Sequence, residues 1–196
     1  MPPTWTEFRN DSAESVPAFG VMRLTGVFVP EPGRVVLLTD KPNTYGCQYR
    51  GVVNGPTTVS SGKFGMCVRG ELMTALYESA DGVPAIGERW GPRPGSWKLR
   101  KQTGGFAIVG VTRPAKSLVL VQPAPMTTLL GKVDAPHNRN TLGTVSIYAG
   151  PLGAESDTQC DLVGVYNRFG DVPAGKWVRC VWNDQAQDWE LLAAEC

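Results

Sequence analysis

The sequence predicts an all-β protein built from antiparallel sandwich or barrel modules, without long helices. Glycine (23 residues) and proline (16 residues) are too frequent for a helical chain of 196 residues, and only 19% of the residues are charged. Short runs of β-branched and aromatic residues alternate with tight-turn signals. No window has the apolar spacing of an amphipathic helix of ordinary length. Many short strands joined by turns account best for this composition.

Each predicted strand is an apolar or β-branched run bounded by turn residues. Runs 21–29 and 34–39 flank Pro30-Glu31-Pro32-Gly33 and predict a hairpin or corner. The segment 72–77 is too short for periodicity to separate a strand from one helical turn. The clearest hairpin is the last pair, in which Trp177 and Trp189 suit cross-strand positions. Further runs that predict strands are, in chain order, 105–111, 117–121, 127–133, 142–148, 162–166, 176–182 and 188–194.

A proline-rich phrase in the middle of the chain predicts two modules. Gln122-Pro123-Ala124-Pro125 is the best candidate for a boundary, because linkers between domains are commonly rich in proline. We therefore expect an N-terminal β module with an N-terminal arm over residues 1–122 and a C-terminal β module over residues 123–196.

The phrase Val-Pro-Ala, followed by a strand-like run, recurs along the chain. Residues 16–23 (VPAFGVMR) and 172–179 (VPAGKWVR) match in spacing, and Asn10 or Asn167 lies upstream of each. A weaker copy occupies residues 83–90 and lacks the upstream asparagine phrase. Proline fixes its own φ and pushes the preceding valine toward an extended conformation, so each phrase predicts a turn that leads into a strand. Internal duplication and the chance recurrence of a common turn both explain the pattern.

The charge balance argues against electrostatic binding to nucleic acid or membrane. Lysine and arginine number 19 against 18 acidic residues, and no basic block interrupts the chain. No stretch has the apolar length that spans a bilayer. The N-terminus lacks a basic region followed by an apolar one, so a cleaved export signal is not expected.

No residue pattern predicts catalysis, a metal site or a cofactor. His137 is the only histidine and is expected in a surface loop, and the chain has no Gly-x-Ser-x-Gly elbow, phosphate loop or dinucleotide motif. Carboxylates beside glycine and asparagine are expected to cap turns. The cysteines have no Cys-x-x-Cys spacing and are expected to be buried free thiols in a reducing cytoplasm. They are Cys47, Cys67, Cys160, Cys180 and Cys196.

Three tryptophans are candidate partner-binding residues. Trp90 and Trp97 bracket the rigid loop Gly91-Pro92-Arg93-Pro94-Gly95-Ser96, and Trp5 lies beside Pro2-Pro3 in the expected arm. Exposed indole rings would anchor a neighbouring protein or stack on a sugar. The alternative for Trp90 and Trp97 is that they cover the open end of a β core.

Several phrases resemble those of tailed-bacteriophage virion proteins, including β-rich capsid cement proteins. They are the asparagine and Val-Pro-Ala phrase over residues 8–23, its echo over 166–175, the run 143–148 and the ending 189–196. The resemblance implies assembly and carries over no catalytic residue.

The resemblance and the composition together lead to one expected function and two alternatives. We expect a non-enzymatic virion component, made in the host cytoplasm, that decorates the capsid or belongs to the neck or tail. Its expected partners are other virion proteins and further copies of itself, with no nucleic acid and no membrane. The main alternative is a carbohydrate- or receptor-binding β module of a tail fibre. A hydrolase that uses paired carboxylates is the third possibility.

Overall fold

The protein is almost entirely β, as the sequence predicts. A computed structural model describes residues 4–43, 51–70, 72–101, 104–124, 128–148, 158–183, 185–186 and 188–194, and for 158–163 it describes only the backbone. This part of the chain holds fifteen strands and two three-residue 3-10 turns. Within it, no helix has the length and apolar character needed to cross a membrane. The chain divides into two compact units, Met1–Pro125 and Met126–Cys196.

The N-terminal unit begins with a closed five-stranded barrel. Its strands follow the cyclic order β1-β3-β2-β4-β5, and every pairing is antiparallel except the parallel pair β1–β3. Alternate residues along each strand face inward, and the interior is filled by a cluster that includes Phe8, Met22, Leu37 and Val52. The strands are β1 Trp5–Asn10, β2 Val21–Glu31, β3 Arg34–Asp40, β4 Gly51–Asn54 and β5 Phe64–Val68.

A five-stranded antiparallel sheet completes the N-terminal unit. It has the order β6-β10-β9-β7-β8, and it shares a core with the barrel through Val21, Val53 and Val68. The ambiguous segment 72–77 forms a strand here. The strands are β6 Met73–Leu76, β7 Arg89–Pro92, β8 Leu99–Lys101, β9 Gly105–Arg113 and β10 Leu118–Ala124.

Part of the phrase expected to separate the two modules is a strand. Strand β10 extends to Ala124, so Gln122 and Pro123 pair with β9. The pairing of β10 with β6 ends at Val121, so Pro123 needs no N–H on that side. A proline is compatible with a strand at such an edge position.

The C-terminal unit is a second closed five-stranded barrel. Its order is β11-β12-β13-β15-β14, closed by the pairing of β11 with β14, and β13–β15 is its only parallel pair among the described residues. The strands are β11 Thr128–Val133, β12 Leu142–Tyr148, β13 Thr158–Tyr166, β14 Trp177–Asn183 and β15 Asp188–Ala194.

The two barrels have the same topology, related by circular permutation. Read from β13, the second cycle is β13-β15-β14-β11-β12, which corresponds strand by strand to β1-β3-β2-β4-β5. The parallel pair falls at the same place in each cycle, and the other described pairs of both barrels are antiparallel, as the sequence predicts. The register also agrees, because Phe8 pairs with Gly65 as Val165 pairs with Gly143. Only the strand at which the chain enters the cycle differs.

The two Val-Pro-Ala phrases that match best, residues 16–23 and 172–179, occupy equivalent places in the two barrels. Val16 exchanges two backbone hydrogen bonds with Val59, of 2.8 and 2.9 Å, and Val172 exchanges two with His137, of 3.0 and 2.8 Å. The turn that follows has a positive φ in both, 61° at Phe19 and 79° at Gly175. The third copy differs, because Val83 forms no such bridge with any described residue and its side chain is exposed. Of the two explanations of the pattern, internal duplication is the one that fits the matched barrels.

A buried asparagine organises the chain before each phrase. The amide nitrogen of Asn10 donates to the carbonyl oxygens of Glu14 (2.7 Å) and Val59 (3.1 Å). That of Asn167 donates to those of Gly170 (2.6 Å) and His137 (2.7 Å). Each side chain is fully buried, and its oxygen accepts bonds from the backbone two residues on. These asparagines hold the turn against the barrel because each bonds both to the backbone of its own turn and to the carbonyl of the bridge partner, Val59 or His137.

Candidate docking surface

Two of the three candidate tryptophans belong to the core of the N-terminal unit. Trp90 is fully buried, meets Tyr77 edge-on at 5.8 Å, and donates from Nε1 to Glu88 at 2.9 Å. Trp97 is 9% exposed and fills the barrel interior, where the ammonium of Lys41 lies 5.4 Å from its ring centre. Neither ring face is open to a partner, so Trp90 and Trp97 are not the exposed anchors that were expected. They are instead part of the core, which is the alternative that the sequence left open.

Trp5 is the candidate that reaches the surface. It begins β1 and pairs with Val68, so at this residue the chain is already a barrel strand and not a separate arm. Its side chain is 43% exposed and lies against Gly55, where a Cβ atom would come within 3.2 Å of the indole ring. Glycine at position 55 therefore leaves room for the edge of the indole ring.

Strand alternation brings three further apolar side chains to the same outer wall as Trp5. Phe8 points inward and is fully buried, so its neighbours Glu7 and Arg9 point outward. The residues paired with them on β5, Met66 and Phe64, therefore also face outward. Phe28 of β2 belongs to this wall as well, because the Arg9 guanidinium lies 5.6 Å from its ring centre. We call Trp5, Phe28, Phe64 and Met66 the aromatic face. All four side chains are exposed.

Two arginines hold the aromatic face in place. Arg34 makes two hydrogen bonds to Glu7, of 2.9 and 2.7 Å, and its guanidinium lies 5.7 Å from the Phe64 ring centre. Arg9 is paired with Asp11 in the same two-pronged way, at 2.5 and 3.1 Å, beneath Phe28. Planar guanidinium groups that are fixed by carboxylates stack well on aromatic rings. The rings are therefore positioned before any partner arrives.

The two arginines on this wall are paired with carboxylates of the same wall. The hydrogen bonds from Arg34 lower the pKa of Glu7, and those to Glu7 raise the pKa of Arg34. Glu31 also lies 3.4 Å from Arg34, so the two arginines meet three carboxylates. A wall with no excess positive charge does not attract a phosphate backbone. Its chemistry suits an apolar protein surface with few charges.

His137 lies elsewhere than the sequence indicated. It was expected in a surface loop, but it is 2% exposed, because its backbone bridges Val172 and its ring lies directly over Gly143. Nε2 is 3.1 Å from the Thr141 carbonyl oxygen, and buried Nδ1 has no hydrogen-bond partner among the described residues. The histidine fills a core position of the C-terminal barrel.

The cysteines that the structure describes are the buried free thiols that the sequence predicts. Cys67 and Cys180 are free and buried, and burial raises the pKa of each to about 12. The side chains of Cys47, Cys160 and Cys196 lie outside the described part of the chain. A thiol that stays protonated is a poor nucleophile and metal ligand.

Two carboxylates that a hydrolase could use, Glu78 and Glu88, are held in local pairs. Glu78 lies 3.4 Å from Lys98, and Glu88 accepts from the Ala85 amide, from Lys101 and from Trp90. The hydrogen bond from the Ala85 amide contributes most to lowering the pKa of Glu88 to about 2. Within the described ranges, no three His, Cys, Asp or Glu side chains converge to hold a metal ion.

Comparisons with known proteins identify no relative. No protein-family model, curated protein or solved structure matches the chain.

Sequence reasoning did not single out Phe28, Phe64 or Met66. Phe64 and Met66 alternate with Gly65 and Cys67, so period-two alternation indicates that they share a face. The sequence does not indicate which face is the outer one, because that depends on the pairing of β5 with β1 some sixty residues away.

Proposed function

We propose that the protein is a non-enzymatic structural component of a bacteriophage particle that binds neighbouring virion subunits through the aromatic face. It acts as a capsid decoration or cement protein, or as a part of the neck or tail. The observation that carries the docking role is the exposed group Trp5, Phe28, Phe64 and Met66 on one barrel wall. The resemblance of the turn phrases to virion proteins supplies the phage setting.

The composition of the aromatic face favours a protein partner. Aromatic residues, methionine and arginine are enriched in the centres of protein interfaces, whereas lysine and glutamate are depleted there. The rings of Phe28 and Phe64 each lie beside a guanidinium that a carboxylate already holds. Docking therefore costs little side-chain entropy, and a partner buries apolar area without having to strip an unpaired charge of water.

The closed barrel suits a particle component for a second reason. Both barrels close their hydrogen-bond ladders, so their walls offer few unpaired edges for unwanted strand addition. Many copies of a particle subunit lie close together, so strand addition between them must be avoided. Attachment through the side chains of a single barrel wall meets that requirement.

Carbohydrate binding receives less support from the structure than it did from the sequence. That alternative depended on the indole rings of Trp5, Trp90 and Trp97, and the last two are buried. Trp5 remains exposed, so a sugar ligand is retained only as an outcome of the test described next.

The proposal is tested by occupancy of particles. Purified particles from the source phage are probed for the protein by quantitative mass spectrometry, and particles lacking it are incubated with wild type or with Phe64→Lys or Met66→Lys. Stoichiometric recovery of wild type and at least tenfold weaker rebinding of both variants are expected, because a buried lysine without a partner is costly. Ile86→Lys is the matched control, since Ile86 is an exposed apolar residue outside the face.

Two results would overturn the proposal. One is absence of the protein from particles, and the other is rebinding that the Phe64 and Met66 changes leave intact. Binding to a glycan array that is lost in Trp5→Ala would replace it with the carbohydrate alternative. Circular dichroism and the melting temperature of each variant establish that the fold is retained.

A further inference from the structure

Asn54 and Gly55 form the only Asn-Gly dipeptide in the chain. In such a dipeptide the backbone nitrogen of the glycine can attack the side-chain carbonyl carbon of the asparagine, because no Cβ atom hinders the approach. The new N–C bond closes a five-membered succinimide, and the side-chain nitrogen leaves as ammonia with the proton of the glycine N–H. Water then opens the ring at either carbonyl and leaves aspartate or isoaspartate. The sequence therefore makes Asn54 chemically labile.

The closed barrel holds both reacting groups away from this reaction. The Gly55 N–H donates to the Met66 carbonyl oxygen at 2.8 Å and so continues the pairing of β4 with β5. The Asn54 side chain is 2% exposed, and its Nδ2 donates to the carbonyl oxygens of Pro17 and Thr57, both at 2.8 Å. Attack requires all three hydrogen bonds to break and the side chain to turn toward its own backbone. A backbone amide held in this way reacts only when the strands open locally.

The amide oxygen of Asn54 gives a second reason for slow reaction in the native state. Addition of the glycine nitrogen drives negative charge onto Oδ1, and such a charge needs hydrogen-bond donors to stabilise it. Oδ1 is buried and has no partner among the described residues. Within that part of the chain, the native site therefore offers no donor to the developing oxyanion.

Packing explains why the labile dipeptide is present. A Cβ atom at position 55 would come within 2.9 Å of the Met66 carbonyl oxygen and 3.2 Å of the Trp5 ring, so only glycine fits without a shift. Asn54 in turn joins the Val-Pro-Ala turn at Pro17 to the loop at Thr57 through its two donated bonds. The two residues that make the site labile are therefore also the two that close this corner of the barrel.

We propose that Asn54-Gly55 is a fold-gated modification site, which stays asparagine while the N-terminal barrel is closed and deamidates when β4 separates from β5. Aspartate at position 54 replaces the donating Nδ2 by a carboxylate oxygen, which faces two carbonyl oxygens that only accept. Isoaspartate lengthens the backbone by one CH₂ group and also displaces Gly55 from Met66. Both products hinder reclosing, so the modification makes an opening of the barrel permanent.

The modification site lies beneath part of the aromatic face. Gly55 lies against the indole ring of Trp5 and bonds to the backbone of Met66, and both of these residues belong to that face. An opening that exposes Asn54 to attack therefore also displaces two side chains of the face. The gate itself depends only on the contacts of β4 and β5, whether or not the aromatic face binds a particle.

The test is the deamidation rate of the full chain at pH 8, followed by peptide mapping with mass spectrometry. The native protein is compared with the same chain in urea and with a synthetic peptide of residues 52–58. We expect native Asn54 to react at least about 100-fold more slowly than the peptide, and the chain in urea to react at nearly the rate of the peptide. Pro32→Asn is the matched control, because it places the same dipeptide before Gly33 at an exposed hairpin tip of the same barrel, where rapid reaction is expected in the native protein.

Three results would overturn the proposal. Native Asn54 could deamidate as fast as the engineered site at position 32, or it could stay intact in urea. The third is full recovery of the barrel after modification. Wild type deamidated in urea at pH 8 is expected to refold with faster hydrogen exchange of the β4 and β5 amides than a chain held in urea for the same time at pH 5, where deamidation is slow. Equal exchange in the two samples would refute a permanent opening.

Discussion

The buried asparagines allow the equivalence of the two barrels to be measured as free energy. Asn167→Ala removes two bonds donated to the His137 and Gly170 carbonyls and two accepted from the Phe169 and Gly170 amides. A typical hydrogen bond contributes about 1 kcal/mol net, and a buried group left unpaired costs about 1–3 kcal/mol. The His137 carbonyl keeps its bond from the Val172 amide, which limits the loss. We expect the C-terminal barrel to lose about 2–4 kcal/mol of its free energy of unfolding.

Asn10→Ala is expected to have a loss of the same size in the N-terminal barrel. It removes donation to the Glu14 and Val59 carbonyls and acceptance from the amide and hydroxyl of Ser12. The Val59 carbonyl keeps its bond from the Val16 amide, as the His137 carbonyl does in the other barrel. Each substitution removes two donated and two accepted hydrogen bonds, so we expect the two losses of unfolding free energy to be similar.

Native-state hydrogen exchange followed by mass spectrometry measures each barrel separately, which matters because two units can unfold independently. The expected loss accelerates exchange of the most protected amides roughly 30- to 700-fold in the barrel that carries the change. Asn138→Ala is the control, since that side chain is exposed and a surface change costs about 0.5 kcal/mol or less. A large effect at Asn10 together with none at Asn167 would refute the structural equivalence of the two turns.

Three further predictions concern single buried or paired groups. His137→Val is expected to stabilise the C-terminal barrel by about 1 kcal/mol in urea unfolding, because it removes a buried Nδ1 that has no partner among the described residues and installs the residue type found at Val59. The stability contributed by ionised Glu88 is expected to be complete above its ordinary pKa of 4.5 and to be lost as the pH falls toward about 2, and Glu88→Gln is expected to remove this part of the acid dependence. Cys67, with its pKa raised to about 12, is expected to resist alkylation at pH 8 until urea unfolds the barrel, as peptide mapping would reveal.

Each of these predictions has a clear contrary outcome. A destabilised His137→Val protein would mean that the bond from Nε2 to Thr141 outweighs the buried unpaired nitrogen. An acid profile that Glu88→Gln leaves unchanged would assign the loss of stability to other carboxylates. Rapid alkylation of native Cys67 would mean that β5 opens locally, and Cys180, which is buried to a similar degree, serves as the internal comparison.

Local patterns predicted the elements of this fold well. The hairpin around Pro30-Glu31-Pro32-Gly33 and the strands Leu142–Tyr148 and Asp188–Ala194 lie where their apolar runs and turn residues indicated. Turn chemistry acts over a few residues, so the sequence contains all the information needed to predict it. The matched Val-Pro-Ala phrases predicted a turn that leads into a strand for the same reason, but they left both duplication and chance recurrence open.

The positions of the candidate site residues depended on contacts distant in sequence. Trp90 lies beside a loop rich in proline and glycine, which suggested exposure, but β7 pairs with β9 and places the ring in a core shared with Tyr77. His137 is buried because Gly143 leaves room for its ring, and no residue near the histidine indicates that. The aromatic face requires β1 to pair with β5 and β3, which no local pattern specifies.

A closed barrel explains how one fold tolerates two chain orders. In a cycle of paired strands every strand has two neighbours, so the hydrogen-bond ladder does not depend on where the chain enters. The features that must be preserved are contacts across the cycle: the asparagine that holds the turn, the bridge at Val16 or Val172, and the glycine that faces the bridge partner. All three are present in both barrels, whereas the hairpin tip differs in length and polarity. The physical constraint of the fold therefore falls on the turn and the bridge and not on the hairpin tip.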